Sequence, residues 1–399
     1  MLCLFNRKRK FSNSPQTKLT DSSGVSGDFF GWWVALSADG NTAIVGSPED
    51  TVGSNSRQGS CTVFTRTGTS WNQQAKLTDS TGNADNYFGI SVALSDDGNT
   101  AIVGSYRKKV GSNNEAGAAI VFTRSGSTWT EQAELTDSAP VFAGAQLGIS
   151  VSLSSDGNTA LVGAQFDTIG SNYYQGSAIV FTRSGVTWTQ QTKLVDSAGA
   201  ASDNFGTRVK LSGDGNTALV GSLNDDPNGT NNQGSAIVFT NSGGTWTQQA
   251  TLIHSLGSTS ARFSRSLALS DDGNTALIGS DIDYAVVFTR SGATWTEETT
   301  LTNLPITAFG YSVDLSGNGN VALIGARLDD SISNNQGNAV VFIRNSGVWA
   351  QQVQLDDSDG VANDQFGRAV ALSKDGNVAL ISSILDNANQ GSAVVFYRR

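Results

Sequence analysis

One motif recurs seven times along the chain, and its spacing constrains the fold more than any single residue does. Each copy is a large apolar residue followed by a small one, here called a start pair, and about ten positions later comes a turn sequence of the Asp-Gly-Asn type. The start pairs are Phe30-Gly31, Phe88-Gly89, Leu147-Gly148, Phe205-Gly206, Phe263-Ser264, Phe309-Gly310 and Phe366-Gly367. Their successive spacings are 58, 59, 58, 58, 46 and 57 residues. Such a period indicates an array of one supersecondary unit.

The second repeat shows what each unit contains. Residues 90–95 alternate apolar and polar side chains, residues 96–99 (DDGN) predict a turn, and residues 100–104 form a short apolar run. Two such runs joined by an Asp-Gly turn indicate a hairpin, because Gly and Asn tolerate positive φ. A third strand is predicted at 118–122 and a fourth at 128–135. No segment has a sustained 3.6-residue apolar period, so no helix is predicted.

Four strands in each of seven repeats predict an all-β fold, a seven-bladed β-propeller of four-stranded antiparallel blades. Residues 16–21 (QTKLTD) copy the fourth-strand sequence at 74–79 (QAKLTD), whereas the chain ends after a third strand at 393–396. The N- and C-terminal strands are therefore predicted to pair and close the ring. One continuous repeat favours a single domain over 1–399, with 1–10 as a short basic extension or the remnant of a preceding repeat.

Tryptophan recurs at the same fourth-strand position in six repeats. We expect these side chains to pack between blades or over the outer edge, since the same residue in so many blades suits packing better than carbohydrate stacking. They are Trp71, Trp129, Trp188, Trp246, Trp295 and Trp349.

The composition of the chain limits the classes of partner that it can bind. The net charge of -10 and pI near 4.6 argue against a nucleic-acid partner, which would need clustered Lys and Arg. The sequence has no run of 18 apolar residues, so no transmembrane segment is predicted, and no signal peptide is visible at the N-terminus. Cys3 and Cys61 give no disulfide framework.

The repeats resemble the FG-GAP repeat family, which includes the propellers of integrin alpha subunits. The match is carried by residues 88–94 (FGISVAL) as the opening strand and 102–105 (IVGS) as the second half of the unit. The resemblance extends over nearly the whole chain. It implies a non-enzymatic binding or adhesion scaffold with a protein or glycan ligand, located outside the cell or at a cell or particle surface. We expect the chain to form a monomeric domain.

The Asp-Gly-Asn turns depart from the integrin pattern, in which a longer Asp-rich loop holds calcium. Here residues 95–100 (SDDGNT) supply one or two carboxylates, whereas calcium takes six to eight oxygen ligands. Asp97 and its equivalents are therefore interpreted as turn-forming residues. No metal and no cofactor are predicted.

A glycan-acting hydrolase of the propeller type is the alternative function, and a purely structural module of a larger surface protein is another. Sialidase-type chemistry would need an arginine cluster, a tyrosine nucleophile and carboxylates that converge on the axis, and the sequence indicates no such set. His254 is the only histidine, so a Ser-His-Asp triad would have to be built around it, and a zinc site of the usual His and Cys composition lacks ligands. A lone loop histidine is more often a solvated or hydrogen-bonded side chain than a catalyst. The chain is therefore predicted not to be an enzyme.

The long connections of a four-stranded blade fall on one face, and variable loops on a rigid scaffold are where binding usually resides. In the fifth repeat the spacing drops to 46, and both shortened loops lie on that face. This predicts a notch as the ligand-binding site, unless the deletion is simply a tolerated loop shortening. The predicted floor is Asp281, Asp283, Tyr284, Leu304, Pro305 and Ile306, and the predicted walls are Asp225, Asp226, Asp329 and Asp330.

Overall fold

A computed structural model describes residues 10–14, 16–138, 143–303 and 307–399. The chain forms seven four-stranded antiparallel sheets. In six of them the strands pair in sequence order, and the seventh combines strands from both ends of the chain. The predicted seven-bladed β-propeller is confirmed.

The N-terminal strand is β1 (Thr17–Leu19). Blade 1 consists of β2 (Val34–Leu36), β3 (Thr42–Ser47), β4 (Ser60–Thr67) and β5 (Ser70–Leu77). Blade 2 consists of β6 (Val92–Leu94), β7 (Thr100–Ser105), β8 (Ala118–Ser125) and β9 (Thr128–Leu135). Blade 3 consists of β10 (Leu147–Leu153), β11 (Thr159–Ala164), β12 (Ser177–Ser184) and β13 (Thr187–Leu194).

Blade 4 consists of β14 (Phe205–Leu211), β15 (Thr217–Ser222), β16 (Ser235–Ser242) and β17 (Thr245–Leu252). Blade 5 consists of β18 (Ser266–Leu269), β19 (Thr275–Gly279), β20 (Ala285–Ser291) and β21 (Thr294–Leu301). Blade 6 consists of β22 (Phe309–Leu315), β23 (Val321–Ala326), β24 (Asn338–Asn345) and β25 (Val348–Leu355). Blade 7 consists of β26 (Val370–Leu372), β27 (Val378–Ser383), β28 (Ser392–Tyr397) and β1.

Two short helical turns lie in the loops of the described chain. They are a 3-10 turn at Pro227–Gly229 and a turn at Asp386–Asn389 whose two central residues are left-handed. Neither is long and apolar enough to cross a membrane.

Strand β1 closes the ring as predicted. It pairs antiparallel with β28, with Thr17 opposite Val395 and Leu19 opposite Ala393. The Leu19 side chain is buried in the cluster that also contains Phe30 of blade 1. The outer edge of blade 7 is therefore covered by the N-terminal segment.

The start pairs explain how neighbouring blades fit together. Phe88 is fully buried and contacts Phe122 of its own blade, with ring centroids 6.0 Å apart. The small residue that follows is needed for close backbone approach. At Gly148, φ is +91°, and a Cβ atom would lie 2.2 Å from the carbonyl oxygen of Ala118 in blade 2. A side chain there would push blades 2 and 3 apart.

The six repeated tryptophans pack against the clusters between blades, which confirms their predicted role. In blade 3, Arg183 stacks over Trp188 with its guanidinium carbon 5.3 Å from the ring centroid. The indole Nε1 of Trp188 donates a 2.9 Å hydrogen bond to Gln132 of blade 2. The same stacking recurs in blades 1, 2, 5 and 6.

The Asp-Gly-Asn turns are internally hydrogen-bonded. Asp97 Oδ1 accepts from the Ser95 hydroxyl at 2.6 Å and from the Asn99 backbone N–H at 2.9 Å. Asp97 Oδ2 accepts from the Asn99 side-chain amide at 3.0 Å. Burial alone would raise the pKa of Asp97, but these hydrogen bonds outweigh it and lower that pKa. Asp97 is a turn-forming residue, as interpreted from the sequence.

Candidate functional site

The first strands of the seven blades surround a central channel with a volume of about 180 Å³. Its end on the short-turn face is narrowed by a closed ring of seven backbone hydrogen bonds, each from one blade to the next. These bonds join Ala38, Asp96, Ser155, Gly213, Asp271, Gly317 and Lys374. Lys374 Nζ also pairs with Asp96 at 2.6 Å and Asp271 at 2.7 Å.

The opposite end, here called the mouth, lies on the long-loop face. It is formed by the two residues that follow each start pair, at the beginning of the first strand of each blade. In five blades these positions hold aromatic or cationic side chains, and the mouth residues are Trp32, Trp33, Arg208, Arg265, Tyr311 and Arg368.

Tyr311 lies at the centre of a group of guanidinium groups. The guanidinium carbons of Arg265 and Arg327 each lie 4.2 Å from its ring centroid, and that of Arg368 lies at 5.1 Å. Arg265 also donates a short hydrogen bond to the Tyr311 hydroxyl. Guanidinium groups this close to a ring face make cation–π contacts. Arg327 comes from the loop after β23 and not from a first strand.

Two contacts connect the cluster to blade 1. Arg208 of blade 4 reaches Trp33, on the far side of the ring, with its guanidinium carbon 5.0 Å from the indole centroid. Arg368 lies 4.3 Å from the centroid of Trp32. The Arg208–Trp33 contact therefore forms a floor at the mouth.

The cluster carries more positive than negative charge. Asp281 pairs with Arg265 at 3.1 Å and with Arg262 at 3.6 Å. Arg208 donates to the carbonyl oxygen of its neighbour Thr207 at 2.8 Å. Within the described ranges, no carboxylate forms an ion pair with Arg208, Arg327 or Arg368.

The hydrogen-bonding capacity of these arginines is only partly used. Arg327 donates to the side-chain oxygen of Gln365 at 3.1 Å, but its Nε, like that of Arg208, is buried without an acceptor in the described chain. Buried cations without partners are rare, because desolvation of a charge is costly unless it is paired.

Burial and mutual repulsion perturb the titration of the cluster. Burial, and then the charge of Arg265, lowers the pKa of Arg208 to about 9, and burial lowers that of Arg368 to about 10. Burial alone would raise the pKa of Tyr311, but the surrounding arginines, Arg368 first, lower it to about 8. The site therefore favours negative charge on any group placed in it.

Comparison with known protein families matches the FG-GAP repeat over residues 14–64, 71–122, 129–181, 188–239, 305–342 and 349–396. These segments cover well over half of the chain. The chain belongs to the FG-GAP repeat family. Each FG-GAP match begins at or near the fourth strand of one blade and ends in the third strand of the next. The unmatched interval 240–304 contains the shortened fifth blade with Arg265 and Asp281.

A search of curated proteins found no match. The FG-GAP fold is compatible with a binding or scaffold role.

Around the mouth of this FG-GAP propeller runs a rim of paired side chains. The residue before each start pair has positive φ, between 47° and 60°, in all seven blades. In five blades that residue is not Gly, Asn or Ala, so the loop geometry of the repeat imposes the conformation. In blades 2, 3, 4, 5 and 7 it contacts a residue that follows a second strand. The described pairs are Tyr87 with Tyr106, Gln146 with Gln165, Asn204 with Asn224, Arg262 with Asp281, and Gln365 with Arg327.

Of the residues predicted to form the notch, one belongs to the cluster. Asp281 contacts Arg262 and Arg265 at the rim. Asp283 instead accepts the backbone N–H of Ala308 at 2.5 Å. The structure describes 10–14, 16–138, 143–303 and 307–399, so Leu304, Pro305 and Ile306 lie outside the described residues.

Tyr284 is not an open floor residue. Its side chain is only 9% exposed and lies 4.7 Å from the His254 ring, between blades 4 and 5. Burial raises its pKa to about 12. His254 is itself buried and contacts Glu297 through Nδ1 at 3.0 Å.

The four predicted wall residues stabilise their own loops. Asp225 accepts from Ser235 at 2.5 Å, and Asp226 accepts the backbone N–H of Asn232 at 2.5 Å. Likewise, Asp329 accepts from Asn338 at 2.5 Å, and Asp330 accepts the backbone N–H of Asn335 at 2.6 Å. Short Asp side chains commonly hydrogen-bond nearby backbone in this way.

The expectation that no arginine cluster converges with a tyrosine at the axis is wrong. Arg265, Arg327 and Arg368 surround Tyr311, and Asp281 is beside them. A signal was present in the sequence. When the repeats are aligned on their start pairs, the next position holds Trp, Arg, Tyr and Arg in blades 1, 5, 6 and 7.

Proposed function

We propose that this propeller is a non-enzymatic binding scaffold whose long-loop face recognises an anionic group of a protein or glycan partner at the mouth. The observation that carries the proposal is the cluster of Arg208, Arg265, Arg327 and Arg368, which has Asp281 as its carboxylate partner among the described residues. FG-GAP repeats are typical of extracellular proteins, and a location outside the cell or at a cell or particle surface is part of the proposal.

An incoming anion would offset the cost of holding several guanidinium groups together. Guanidinium is planar and presents its N–H donors as a fork that matches a carboxylate or phosphate in bidentate fashion. Within the described chain the Arg368 side chain makes only ring contacts to Trp32 and Tyr311, so its N–H groups have no protein acceptor there.

A glycan-acting hydrolase remains the second candidate, because the pKa of Tyr311, about 8, would suit a nucleophile. Glycoside hydrolysis also needs a carboxylic acid that protonates the leaving oxygen. Asp281 is the carboxylate of the cluster, and it is engaged by Arg265 and Arg262. Its role as a partner of two cations supports binding without turnover.

The test is calorimetric titration of sulfate and acetate into the wild type and into Arg368→Gln. Loss of one charged hydrogen-bond donor should weaken anion binding by about tenfold or more. Lys109→Gln is the matched control, because Lys109 is an exposed cation on the same face. An equal loss in both variants would show only general electrostatic attraction and would contradict a specific site.

Turnover is measured in parallel with fluorogenic acidic and neutral glycosides. We expect no release of the fluorophore. Release that disappears in Tyr311→Phe would replace the binding proposal with the hydrolase.

A further inference from the structure

We propose that the ligand of the mouth is the terminal unit of an acidic saccharide, with its carboxylate held by the arginine cluster. This inference rests on the proposed function and narrows it to one ligand class. It is carried by three kinds of side chain that occupy different arcs of the same rim.

The cationic arc covers blades 5 to 7. Arg265 and Arg368 lie 4.2 and 5.1 Å from the Tyr311 ring, so their planar groups converge on one small volume. Arg327 reaches the same ring from the neighbouring loop. Planar forks that converge in this way suit a carboxylate, which accepts two parallel hydrogen bonds.

The amide arc covers blades 3 and 4 and is connected to the cations through Thr207. Gln165 donates to the side-chain oxygen of Gln146 at 2.7 Å. The Thr207 hydroxyl donates to the carbonyl oxygen of Asn204 at 2.6 Å and lies 3.4 Å from the side-chain oxygen of Gln165. The carbonyl oxygen of Thr207 accepts from Arg208. The amide nitrogen of Gln146 donates no hydrogen bond within the described ranges.

These amides have the properties that sugar hydroxyls require. A primary amide has two N–H donors and an acceptor oxygen, whereas a hydroxyl both donates and accepts. Asn204 and Asn224 form a second such pair, joined by a 2.6 Å hydrogen bond. A bare inorganic anion has no hydrogen-bond donor, so acceptor oxygens beside it would not contribute to its binding.

The aromatic arc covers blades 1 and 2. Trp32 and Trp33 lie at the mouth, and Tyr87 and Tyr106 form a tilted pair on the rim with ring centroids 5.6 Å apart. Amphipathic aromatic rings supply apolar contact area together with a polar group, a combination that suits the C–H face and the hydroxyl edge of a sugar.

The size of the channel favours a terminal unit over a peptide. One common way to recognise an extended peptide is to pair it with an open strand edge. The strand edges that border the mouth face a channel of only about 180 Å³, and Arg208 and Trp33 meet across it. One sugar unit can lie on this floor, whereas a second strand cannot enter.

The experiment is calorimetric titration of the full chain with methyl glycosides of glucuronic, galacturonic and N-acetylneuraminic acid. Methyl glucoside and methyl galactoside serve as neutral counterparts, and sulfate and a short Glu-containing peptide are the competing anions. At least one acidic glycoside should bind about tenfold more tightly than sulfate, the peptide and its neutral counterpart.

Two variants test the cationic arc and the amide arc independently. Arg368→Gln should weaken binding of the acidic glycoside by about tenfold, and Gln165→Ala should weaken it by roughly threefold without changing sulfate binding. Lys109→Gln should leave both unchanged. Thermal unfolding of each variant establishes that it is folded.

The outcomes distinguish the two proposals. If sulfate or the peptide binds as tightly as every acidic glycoside, and Gln165→Ala has no effect, the saccharide inference is wrong while anion binding stands. If neither sulfate nor any acidic glycoside binds the wild type, both proposals are wrong.

Discussion

The two ends of the central channel differ in how they use the repeat. On the short-turn face every blade contributes the same backbone hydrogen bond, and Lys374 is paired with both Asp96 and Asp271. At the mouth the equivalent position differs from blade to blade, and Arg208, Arg327 and Arg368 have no carboxylate partner in the described chain. Repetition builds the scaffold, and departures from it build the candidate site.

The two ends of the channel also differ in how they affect the stability of the fold. Bonds repeated around a closed ring stabilise the fold at every blade junction, whereas a cluster of buried cations costs stability unless a ligand offsets it. We therefore expect changes to the repeated features to destabilise the propeller, and removal of unpaired cations at the mouth to preserve or increase stability while ligand binding is lost.

The largest effect is expected from removal of residues 1–20, which takes away β1. Leu19 and Phe11 are each only 3% exposed, and loss of two buried large side chains costs about 4 kcal/mol in the free energy of unfolding. The edge of β28 would also be left open to another chain. Thermal denaturation and light scattering measure the two effects.

Deletion of residues 1–9 alone is the control for that truncation, because β1 begins at Thr17. An unchanged melting temperature and a monomer after removal of 1–20 would show that the ring does not depend on its terminal strand. The scaffold side of the comparison would then be wrong.

The second effect concerns Tyr311 and the pH. Its pKa of about 8 in the folded chain lies below the value of about 10 expected for an unfolded tyrosine. Between these values the unfolded chain binds more protons, so this group makes the free energy of unfolding rise with pH, by about 3 kcal/mol in total. The difference between the wild type and Tyr311→Phe, measured by chemical denaturation, should grow accordingly.

The groups that face Tyr311 are Arg208, Arg265, Arg327 and Arg368, with Asp281 beside them. Because the phenolate would compete with a bound anion, ligand affinity should fall over the same pH range. A matched variant at the other end of the channel is Lys374→Gln. The pKa of Lys374 is raised by its hydrogen bonds to Asp271 and Asp96, against burial, so its contribution stays constant up to about pH 9. If the difference in free energy of unfolding between the wild type and Tyr311→Phe does not change with pH, the arginines do not lower the pKa of Tyr311.

Much of the scaffold could be predicted from the sequence because its features repeat. The start pairs, the Asp-Gly-Asn turns and the copied strand at 16–21 gave the blade number, the strand order and the closure. The loop lengths also predicted Asp281 on the long-loop face, where it contacts Arg265.

The site was harder to predict because it depends on contacts between different repeats. Arg208 and Trp33 are distant in sequence, and only ring closure brings them within 5.0 Å. Arg327 reaches Tyr311 from a loop of variable length. Alignment of the first strands of the repeats does not include this loop, so it could not reveal the contact. The acidic loop residues are hard to assign from sequence, because a carboxylate such as Asp226 caps its own loop as readily as it binds a ligand.

The third prediction compares two arginines. Arg208→Met removes a buried cation that has no ion pair, and it should raise the free energy of unfolding by about 1.5 kcal/mol. Arg183→Met removes a scaffold arginine that stacks on Trp188 and donates to Asn158 at 2.9 Å, so it should lower stability by about 1 kcal/mol. Urea denaturation of both variants measures the contrast. Destabilisation by Arg208→Met, in a variant with an unaltered core, would mean that the mouth is part of the scaffold.

The smallest effect tests the repeat itself at the one start pair that lacks glycine. Ser264 adopts a φ of 84°, close to the 89° to 98° of the glycines at the six equivalent positions, and its hydroxyl is buried without a partner in the described chain. Positive φ strains a residue with a Cβ atom, while glycine adds entropy to the unfolded state, so Ser264→Gly should yield a net gain of about 1 kcal/mol. Ser264→Ala removes the unpaired hydroxyl but keeps the strain, and it should recover only part of that gain. If Ser264→Gly is less stable than the wild type, then the serine supports the shortened fifth blade, and this departure from the repeat belongs to the scaffold rather than to the site.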